Sequence, residues 1–143
     1  MVEFETFVKR FEKLPEYLKR KSGELLMKES GKIVELSNDQ LQKGLNTEGR
    51  IMQRGYSPQY GKKRRKAGLQ TSFVDLRFTG QYQDTKKLVK AKDGANIISD
   101  VDYEKYLRGN FPKHVGLTEE NADRISELLA DEVAVLIKKY LLR

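Results

Sequence analysis

The sequence predicts an α+β domain: an N-terminal helix, a small twisted antiparallel sheet with a long basic loop, and a C-terminal helix packed on the sheet. Three observations lead to this prediction. Apolar residues recur at helical spacing near both ends of the chain, an Asp-Gly turn signal separates two short β-compatible runs, and a basic stretch in the middle lacks apolar periodicity. With 143 residues, the chain is long enough for a single domain with its own core.

Residues 1–36 are predicted to be helical, because apolar side chains recur there mostly every three, four or seven positions. Pro15 interrupts the pattern, and because proline lacks a backbone N–H, we expect a kink or a new helix start there. In the simplest interpretation this apolar stripe packs on the sheet; in the alternative it stays exposed and binds a partner helix. Its members are Phe4, Phe7, Phe11, Leu14, Leu18, Leu25 and Ile33.

Residues 72–100 are predicted to form the sheet. Asp93-Gly94 favours a type I′ turn, in which both central residues have positive φ, between the runs KKLVKAK and ANIIS. A further turn is expected at Thr79-Gly80, directly after the strand-like run SFVDLRF. The hairpin is expected to bring together Leu88, Val89, Ile97 and Ile98.

Residues 117–142 predict the terminal helix. Thr118 is the expected N-cap, and Glu119 and Glu120 suit the positive end of the helix dipole. A shorter helical turn is expected just before, in VDYEKYLRGN. The predicted buried face of the terminal helix contains Ile125, Leu128, Leu129, Val133, Leu136, Ile137 and Tyr140.

Residues 37–71 are predicted to be a long loop or arm, and long loops in compact domains are usually functional or disordered. The loop contains five consecutive basic residues, Lys62 to Lys66. Residues 49–92 carry 12 basic and 2 acidic side chains, whereas residues 1–48 are neutral and residues 93–143 are slightly acidic. Such a local positive field attracts nucleic acid or an acidic protein surface.

The candidate interaction residues lie in and beside this basic run. Lysine and arginine neutralise phosphates and release their counterions, and tyrosines stack on bases. Three interpretations stay open at this point: contact with nucleic acid, contact with an acidic protein surface, and a merely solvated loop. The candidate residues are Lys62, Lys63, Arg64, Arg65, Lys66, Arg54, Tyr56 and Tyr60.

The chain offers little for catalysis or metal binding. It contains no cysteine, and His114 is its single histidine, so neither a histidine–cysteine metal site nor a catalytic pair is expected. Asp100 and Asp102 are a turn cap in the simpler interpretation and a shared divalent-ion site in the alternative. We therefore predict no cofactor, no metal and no enzymatic activity. We also predict no membrane contact, because no apolar run approaches the roughly 18 residues of a membrane span.

Three segments resemble those of a known protein family. VDLRFTGQYQDT resembles a strand that ends in Leu-x-x-Thr-Gly, ANIISDVDYEKYLRGN resembles a strand followed by a tyrosine-containing turn and a glycine, and HVGLTEENADRISELLADEVAVLIKKYL resembles a Gly-Leu-Thr turn that opens one terminal helix. This order of motifs is similar to that of the tailed-phage virion-morphogenesis (tail-completion) family and its head–tail joining relatives. QLQKGLNTEGRI and YSPQY are also similar to elements of such phage proteins.

The resemblance implies a non-enzymatic virion protein whose copies join into a ring at the neck or at the tail end. The implied partners are further copies of the chain and other phage structural proteins, namely portal, connector or tail subunits, with non-specific DNA contact as an additional expectation. The expected location is the virion, and the host cytoplasm during assembly. The alternative function is that of a soluble nucleic-acid-binding protein acting through residues 50–66.

Overall fold

The structure is a computed structural model that describes residues 2–52 and 55–143. It has the α+β organisation that the sequence predicts, with a long helix at each end of the chain and a two-stranded antiparallel sheet in the middle of it. The helices and strands are α1 (Phe4–Met27), α2 (Ser30–Gln42), α3 (Pro58–Lys66), α4 (Gln81–Asp84), β1 (Lys87–Ala91), β2 (Gly94–Ile98), α5 (Glu104–Asn110) and α6 (Glu119–Leu142).

Helix α1 continues through Pro15, so no new helix starts there. The proline removes one backbone hydrogen bond, and contacts on both sides of it hold α1 against the last turns of α6. Arg10 Nη1 donates to the carbonyl oxygen of Leu141 at 3.3 Å, and the rings of Tyr17 and Tyr140 stack with their centroids 4.0 Å apart. Because the start of α1 meets the end of α6, the two helices are antiparallel.

The predicted hairpin is present, but its turn lies one residue earlier than expected. β1 and β2 are antiparallel, and Ala91 pairs with Gly94, so the two turn residues are Lys92 and Asp93. Neither Asp93 nor Gly94 is among the described residues with positive φ, so the predicted type I′ turn is wrong. The physical reason is the packing of α1, because the backbone of Gly94 lies directly against Gly23 and is therefore used as a strand residue.

The two strands place only one apolar pair in the core. Leu88 and Ile97 are direct partners and both are buried. Val89 pairs instead with Asn96, and its side chain is exposed on the opposite face of the hairpin. The alternation of strand side chains therefore separates the four apolar residues that the sequence analysis grouped together.

Two hydrophobic clusters form the core. The first joins α2, the hairpin and α6, and consists of Ile33, Leu36, Leu88, Ile97, Ile125 and Leu129. The second contains side chains of α2, of α4 and of the segments that precede and follow α4. Its members are Leu41, Met52, Val74, Tyr82 and Val101. The second cluster supports the candidate functional site.

Helix α6 begins as predicted. The hydroxyl oxygen of Thr118 accepts a hydrogen bond from the backbone N–H of Asn121 at 3.2 Å, which satisfies one free donor of the first turn. Ile125 and Leu129 are buried as expected, but Leu128 is exposed. The buried stripe of α6 is therefore narrower than its apolar pattern, because α1, α2 and the hairpin cover only part of that pattern.

Two predictions about the middle of the chain are wrong. SFVDLRF is not a strand, because Leu76 has a φ of 57° and Asp75 Oδ1 accepts a hydrogen bond from the backbone N–H of Arg77 at 3.0 Å, which turns the chain. The basic run is not part of a loop, because residues 58–66 form α3. The predicted arm, residues 37–71, therefore contains the second half of α2 and all of α3.

A close approach between α1 and the hairpin makes Gly23 a specific requirement. A Cβ atom at this position would lie 2.7 Å from the carbonyl oxygen of Gly94 and 3.2 Å from that of Ala91. A Cβ atom on Gly31, in α2, would have nothing within 4 Å. Comparison of Gly23 with Gly31 therefore separates the effect of packing from the effect of helix propensity.

We expect Gly23→Ala to lower the free energy of unfolding by about 1–3 kcal/mol, because the added methyl group forces two backbones apart. Gly31→Ala should instead raise the free energy of unfolding by up to about 1 kcal/mol, because alanine favours the helix. Urea denaturation of both variants measures the two effects. Equal changes in the two variants would contradict the close approach at Gly23.

Candidate functional site

Helix α3 starts at a Ser-Pro pair. Ser57 is the N-cap, and its hydroxyl oxygen accepts a hydrogen bond from the backbone N–H of Tyr60 at 3.2 Å. Pro58 lies in the first turn, where its missing N–H costs no helical hydrogen bond. The run KKRRK therefore occupies the second half of a helix, and helical spacing divides its five cations between different faces.

Arg64 faces the interior of the protein, and its side chain is only 1% exposed. Its guanidinium donates three hydrogen bonds: Nε to the carbonyl oxygen of Gln70 at 2.9 Å, Nη1 to that of Arg77 at 2.5 Å, and Nη2 to Asp75 Oδ1 at 3.2 Å. Its Cζ lies 4.2 Å from the centroid of the Tyr56 ring. Since a buried charge is costly unless it is paired, these contacts explain how an arginine is tolerated inside the fold. Arg64, one of the predicted interaction residues, is thus engaged within the fold.

The carboxylate of Asp75 connects this network. Besides the bond from Arg64, it accepts one from Gln70 Nε2 at 2.9 Å and one from the hydroxyl of Tyr56 at 2.9 Å. Burial raises the pKa of Tyr56 to about 12, and the neighbouring carboxylate acts in the same direction. Tyr56 therefore remains a hydrogen-bond donor at neutral pH, and the network holds the segment around Asp75 against α3.

The other four cations of the run are exposed. They form a cationic face on α3, whose sequence contains no acidic residue. Arg54, the remaining cation among the predicted interaction residues, lies outside the described residues. The cationic face consists of Lys62, Lys63, Arg65 and Lys66.

A groove of about 940 Å³ opens beside α3, and we call it the aromatic groove. The centroid of the Tyr60 ring lies 6.2 Å from that of Phe78 and 5.3 Å from that of Tyr56. Lys63 Nζ lies 5.2 Å from the centroid of the Phe78 ring, so one cation stands over the aromatic surface. The residues that line the aromatic groove include Tyr56, Tyr60, Leu76, Phe78, Tyr103 and Leu107.

The chemistry of the aromatic groove limits what it can bind. Among the described residues that line it, the charged side chains are Lys63 and Arg64, and none is acidic. Aromatic surfaces bind apolar and aromatic groups, and the nearby lysine favours a negative charge beside them. The groove therefore suits an aromatic side chain with a neighbouring carboxylate, or a nucleobase with its phosphate.

The sequence predicts only part of this groove. Tyr56 and Tyr60 are among the predicted interaction residues, and the structure brings them together. Phe78 falls in the run predicted as a strand, and Tyr103 falls in a turn that no local spacing links to α3. The only available signal is that these aromatic residues stand outside the apolar stripes of α1 and α6.

A second polar contact is enclosed between α2 and the start of β1. Lys86 Nζ donates to the hydroxyl oxygen of Ser37 at 2.8 Å, and the two residues are 7% and 1% exposed. Burial lowers the pKa of Lys86 to about 8. A serine beside such a lysine has the chemistry of an activated nucleophile. Here the burial of both residues keeps a substrate from reaching the pair in this structure.

The single histidine, His114, is buried, and both nitrogens of its ring make hydrogen-bonding contacts. Its Nδ1 lies 2.5 Å from the carbonyl oxygen of Phe111, and its Nε2 lies 2.5 Å from the hydroxyl oxygen of Tyr82. Burial lowers the pKa of His114, which keeps the ring neutral at neutral pH. A neutral ring satisfies both contacts, because one nitrogen donates to the carbonyl and the other accepts from the tyrosine.

A metal site needs clustered ligands, and a membrane span needs a long apolar helix. Asp100 Oδ2 lies 3.2 Å from Lys87 Nζ, so this carboxylate has a lysine as its neighbour. In the part of the chain that the structure describes, no three histidine, aspartate or glutamate side chains are grouped so that they could hold a metal ion. Within residues 2–52 and 55–143, no helix is both long enough and apolar enough to cross a bilayer.

Comparison of the chain with protein-family models, with curated proteins and with solved structures finds no match. The function is therefore inferred from the residues and from their geometry.

The inward orientation of Arg64 predicts opposite results for two neighbouring arginines. Arg64→Met should lower the free energy of unfolding by about 3 kcal/mol, because it leaves a largely buried carboxylate without its cation. Arg65→Met should change it by less than about 0.5 kcal/mol, because that side chain is exposed. Chemical denaturation with both variants provides the measurement. If the two variants were equally stable, the inward orientation of Arg64 would be wrong.

The burial of Lys86 predicts a pH dependence of stability. Its pKa is lower in the folded state than in the unfolded chain, so the unfolded state binds more protons between about pH 8 and pH 10.5, and stability rises with pH in that window. From pH 8 to pH 10, this residue should contribute an increase of about 2 kcal/mol in the free energy of unfolding.

We expect Lys86→Met to remove this increase and the exposed control Lys87→Met to retain it. Denaturation of both variants and of the wild type across the pH window measures how the free energy of unfolding changes in each. All three proteins contain the same tyrosines, so the contribution of tyrosine ionisation cancels when their pH profiles are compared. A wild type and a Lys86→Met variant with parallel pH profiles would show that Lys86 is solvated in the folded state.

Proposed function

We propose that the protein is a non-enzymatic structural protein of a tailed bacteriophage, and that its copies form a ring at the neck or at the tail end. The order of motifs supports this proposal, because the segments that resemble the tail-completion family build adjoining parts of the fold. VDLRFTGQYQDT contributes one wall of the aromatic groove, ANIISDVDYEKYLRGN contributes β2 and α5, and the last segment opens α6.

The observation that carries the proposal is the presence of two different apolar surfaces on one small domain. One is the aromatic groove. The other, which we call the α1 tip, consists of Phe4, Phe7, Val8 and Phe11 next to Leu142 at the end of α6. Phe4 is 81% exposed and Phe11 is 59% exposed. Contiguous exposed apolar surfaces mark interaction sites, and a closed ring needs two different surfaces on each copy.

The cationic face of α3 suits the neighbours expected in a neck or tail. An acidic surface of a portal, connector or tail subunit would be attracted to it, and so would DNA that passes through the ring. Contacts of this kind speed association and fix orientation, while the apolar surfaces supply most of the binding free energy.

In virions of a phage that encodes this chain, we expect a small and fixed number of copies per particle, because a ring occurs once at a neck or at a tail end. Quantitative mass spectrometry of purified particles, with the major capsid protein as the internal reference, measures this number. Tailless heads from the same phage serve as a control that separates a neck position from a tail position. Absence of the chain from intact particles would contradict the proposal.

A second candidate function, soluble nucleic-acid binding, is favoured by a specific observation. The exposed cations of α3 lie on the same helix that supplies Tyr60 to the aromatic groove, and Lys63 stands over Phe78. Phosphates can therefore meet the cationic face while an unpaired base meets an aromatic ring.

This second candidate predicts salt-dependent DNA binding that depends on the cationic face. Replacing Lys62, Lys63, Arg65 and Lys66 by glutamine should reduce the slope of log K against log salt by about 3 to 4, since each lost phosphate contact accounts for about 0.9. The matched control replaces four exposed lysines on other helices, Lys9, Lys13, Lys138 and Lys139, and should lose much less. Fluorescence anisotropy at several salt concentrations is the measurement, and equal losses in both variants would reject a dedicated site on α3.

A further inference from the structure

The α1 tip projects aromatic side chains for which the described fold offers little cover. Helix α6 ends at Leu142, beside Phe4 and Phe7. In the first two turns of α1 the side chains of Phe4 and Val8 are exposed, while further along the helix the ring of Tyr17 stacks on that of Tyr140 in α6. Exposure of Phe4 and Phe11 keeps a large apolar area in water, which favours an occupant that buries it.

Acidic residues flank the apolar stripe of the α1 tip. Helical spacing places Glu5 and Glu12 along one side of the stripe and Glu3 along the other. The nearest lysines, Lys9 and Lys13, fall on the opposite face of the helix by the same spacing. The ion pair between Glu5 and Lys9 is exposed and contributes little free energy. The Glu5 carboxylate therefore remains available to contact a partner.

The nearby Arg10 does not offset the negative charge of these glutamates at the apolar stripe. Its guanidinium donates to the carbonyl oxygens of Leu141 and Arg143 at the end of α6, where a cation suits the negative end of the helix dipole. The stripe is thus bordered mainly by carboxylates that face solvent.

The aromatic groove has the complementary character. It is apolar and open to solvent, and its exposed charged lining residue is Lys63, since Arg64 is paired with Asp75 inside the fold. An aromatic side chain next to a carboxylate is what such a groove accepts, and the α1 tip offers that combination along two turns of helix.

We propose that the α1 tip of one copy docks into the aromatic groove of the next copy. This inference rests on the proposed ring function and specifies its interface between subunits. The contact is heterologous, since the two surfaces share no lining residue. Repeated from copy to copy, the contact closes into a ring or continues as a filament, whereas two copies that exchange their α1 tips reciprocally would stop at a two-fold dimer.

The expected size of the contact suits assembly on a larger particle. A buried phenylalanine contributes about 150–250 Å², so the three phenylalanines of the α1 tip give an interface at the small end of specific complexes. A single contact is therefore weak. Closure of the ring and attachment to a common neighbour raise the local concentration and make the assembly stable.

Cysteine cross-linking tests the docking directly, because the chain contains no cysteine of its own. Val8→Cys places one thiol at the edge of the α1 tip, and Thr79→Cys places one on the wall of the aromatic groove. Both changes are conservative in size and lie at accessible positions, and thermal unfolding verifies that both variants fold. Ser126→Cys, on the exposed face of α6, is the matched control.

One variant is labelled with ¹⁵N, the two are mixed under mild oxidation, and the disulfide-linked dimers are identified by mass spectrometry. We expect the 8–79 linkage to exceed the 8–126 linkage by about tenfold or more, a ratio that corresponds to 1.4 kcal/mol. Adding Phe4→Asp to the Val8→Cys chain should abolish the excess. A full-length chain that carries both cysteines should give a ladder of covalent oligomers.

Three results would overturn the docking. The first is an 8–79 linkage at the level of the control, and the second is a dominant 8–8 linkage, which would mean that two α1 tips pair with each other. The third is protection of the Thr79→Cys thiol by a single-stranded oligonucleotide and not by an added chain, which would assign the groove to nucleic acid. If the chain is nevertheless counted in virions, only the interface is wrong; if it is absent from virions, the ring function itself fails.

Discussion

The buried guanidinium of Arg64 is the interaction on which the candidate site depends. A charge inside a protein needs partners on all sides, and Arg64 finds them in the segment from Gln70 to Arg77. Those hydrogen bonds hold the segment against α3 and stabilise the left-handed backbone of Leu76, which lines the aromatic groove. Because Arg64 points inward, helical spacing turns its basic neighbours outward. One buried charge therefore determines both a wall of the groove and the cationic face.

The elements that the sequence predicts correctly are those whose buried positions are apolar and regularly spaced. Helix α6 meets this condition, and Thr118 marks its start, whereas the hairpin is indicated by two short β-compatible runs on either side of Asp93-Gly94. Helix α3 does not, since the positions it buries are Gly61 and Arg64, neither of which belongs to an apolar stripe. Its start is still signalled by Ser57-Pro58. The turn of the hairpin is shifted because packing against α1, which no local pattern encodes, decides how Gly94 is used.

The candidate site is predictable to a similar extent. The basic run and its two tyrosines stand out in the sequence, yet the pattern cannot tell which arginine is buried. The groove depends on tertiary contacts that bring Phe78 and α5 next to α3 over the second core cluster. The α1 tip shows a related limit. An apolar stripe at helical spacing looks the same whether it is covered or exposed, and here Phe4 and Phe11 are exposed while Leu25 packs against the first core cluster. Two exposed apolar surfaces of different charge remain, the aromatic groove and the α1 tip.

The inward position of Arg64 can be tested most directly by solvent exchange of arginine side chains, measured by NMR on the ¹⁵N-labelled wild-type protein. The Nε–H of Arg64 donates to the carbonyl oxygen of Gln70 inside the fold, so its exchange with water should be slow and should accelerate only when the protein opens. The Nε–H of the exposed Arg65 should exchange rapidly under the same conditions. Rapid exchange of both groups would contradict the account, because α3 would then have no buried charge to fix its orientation.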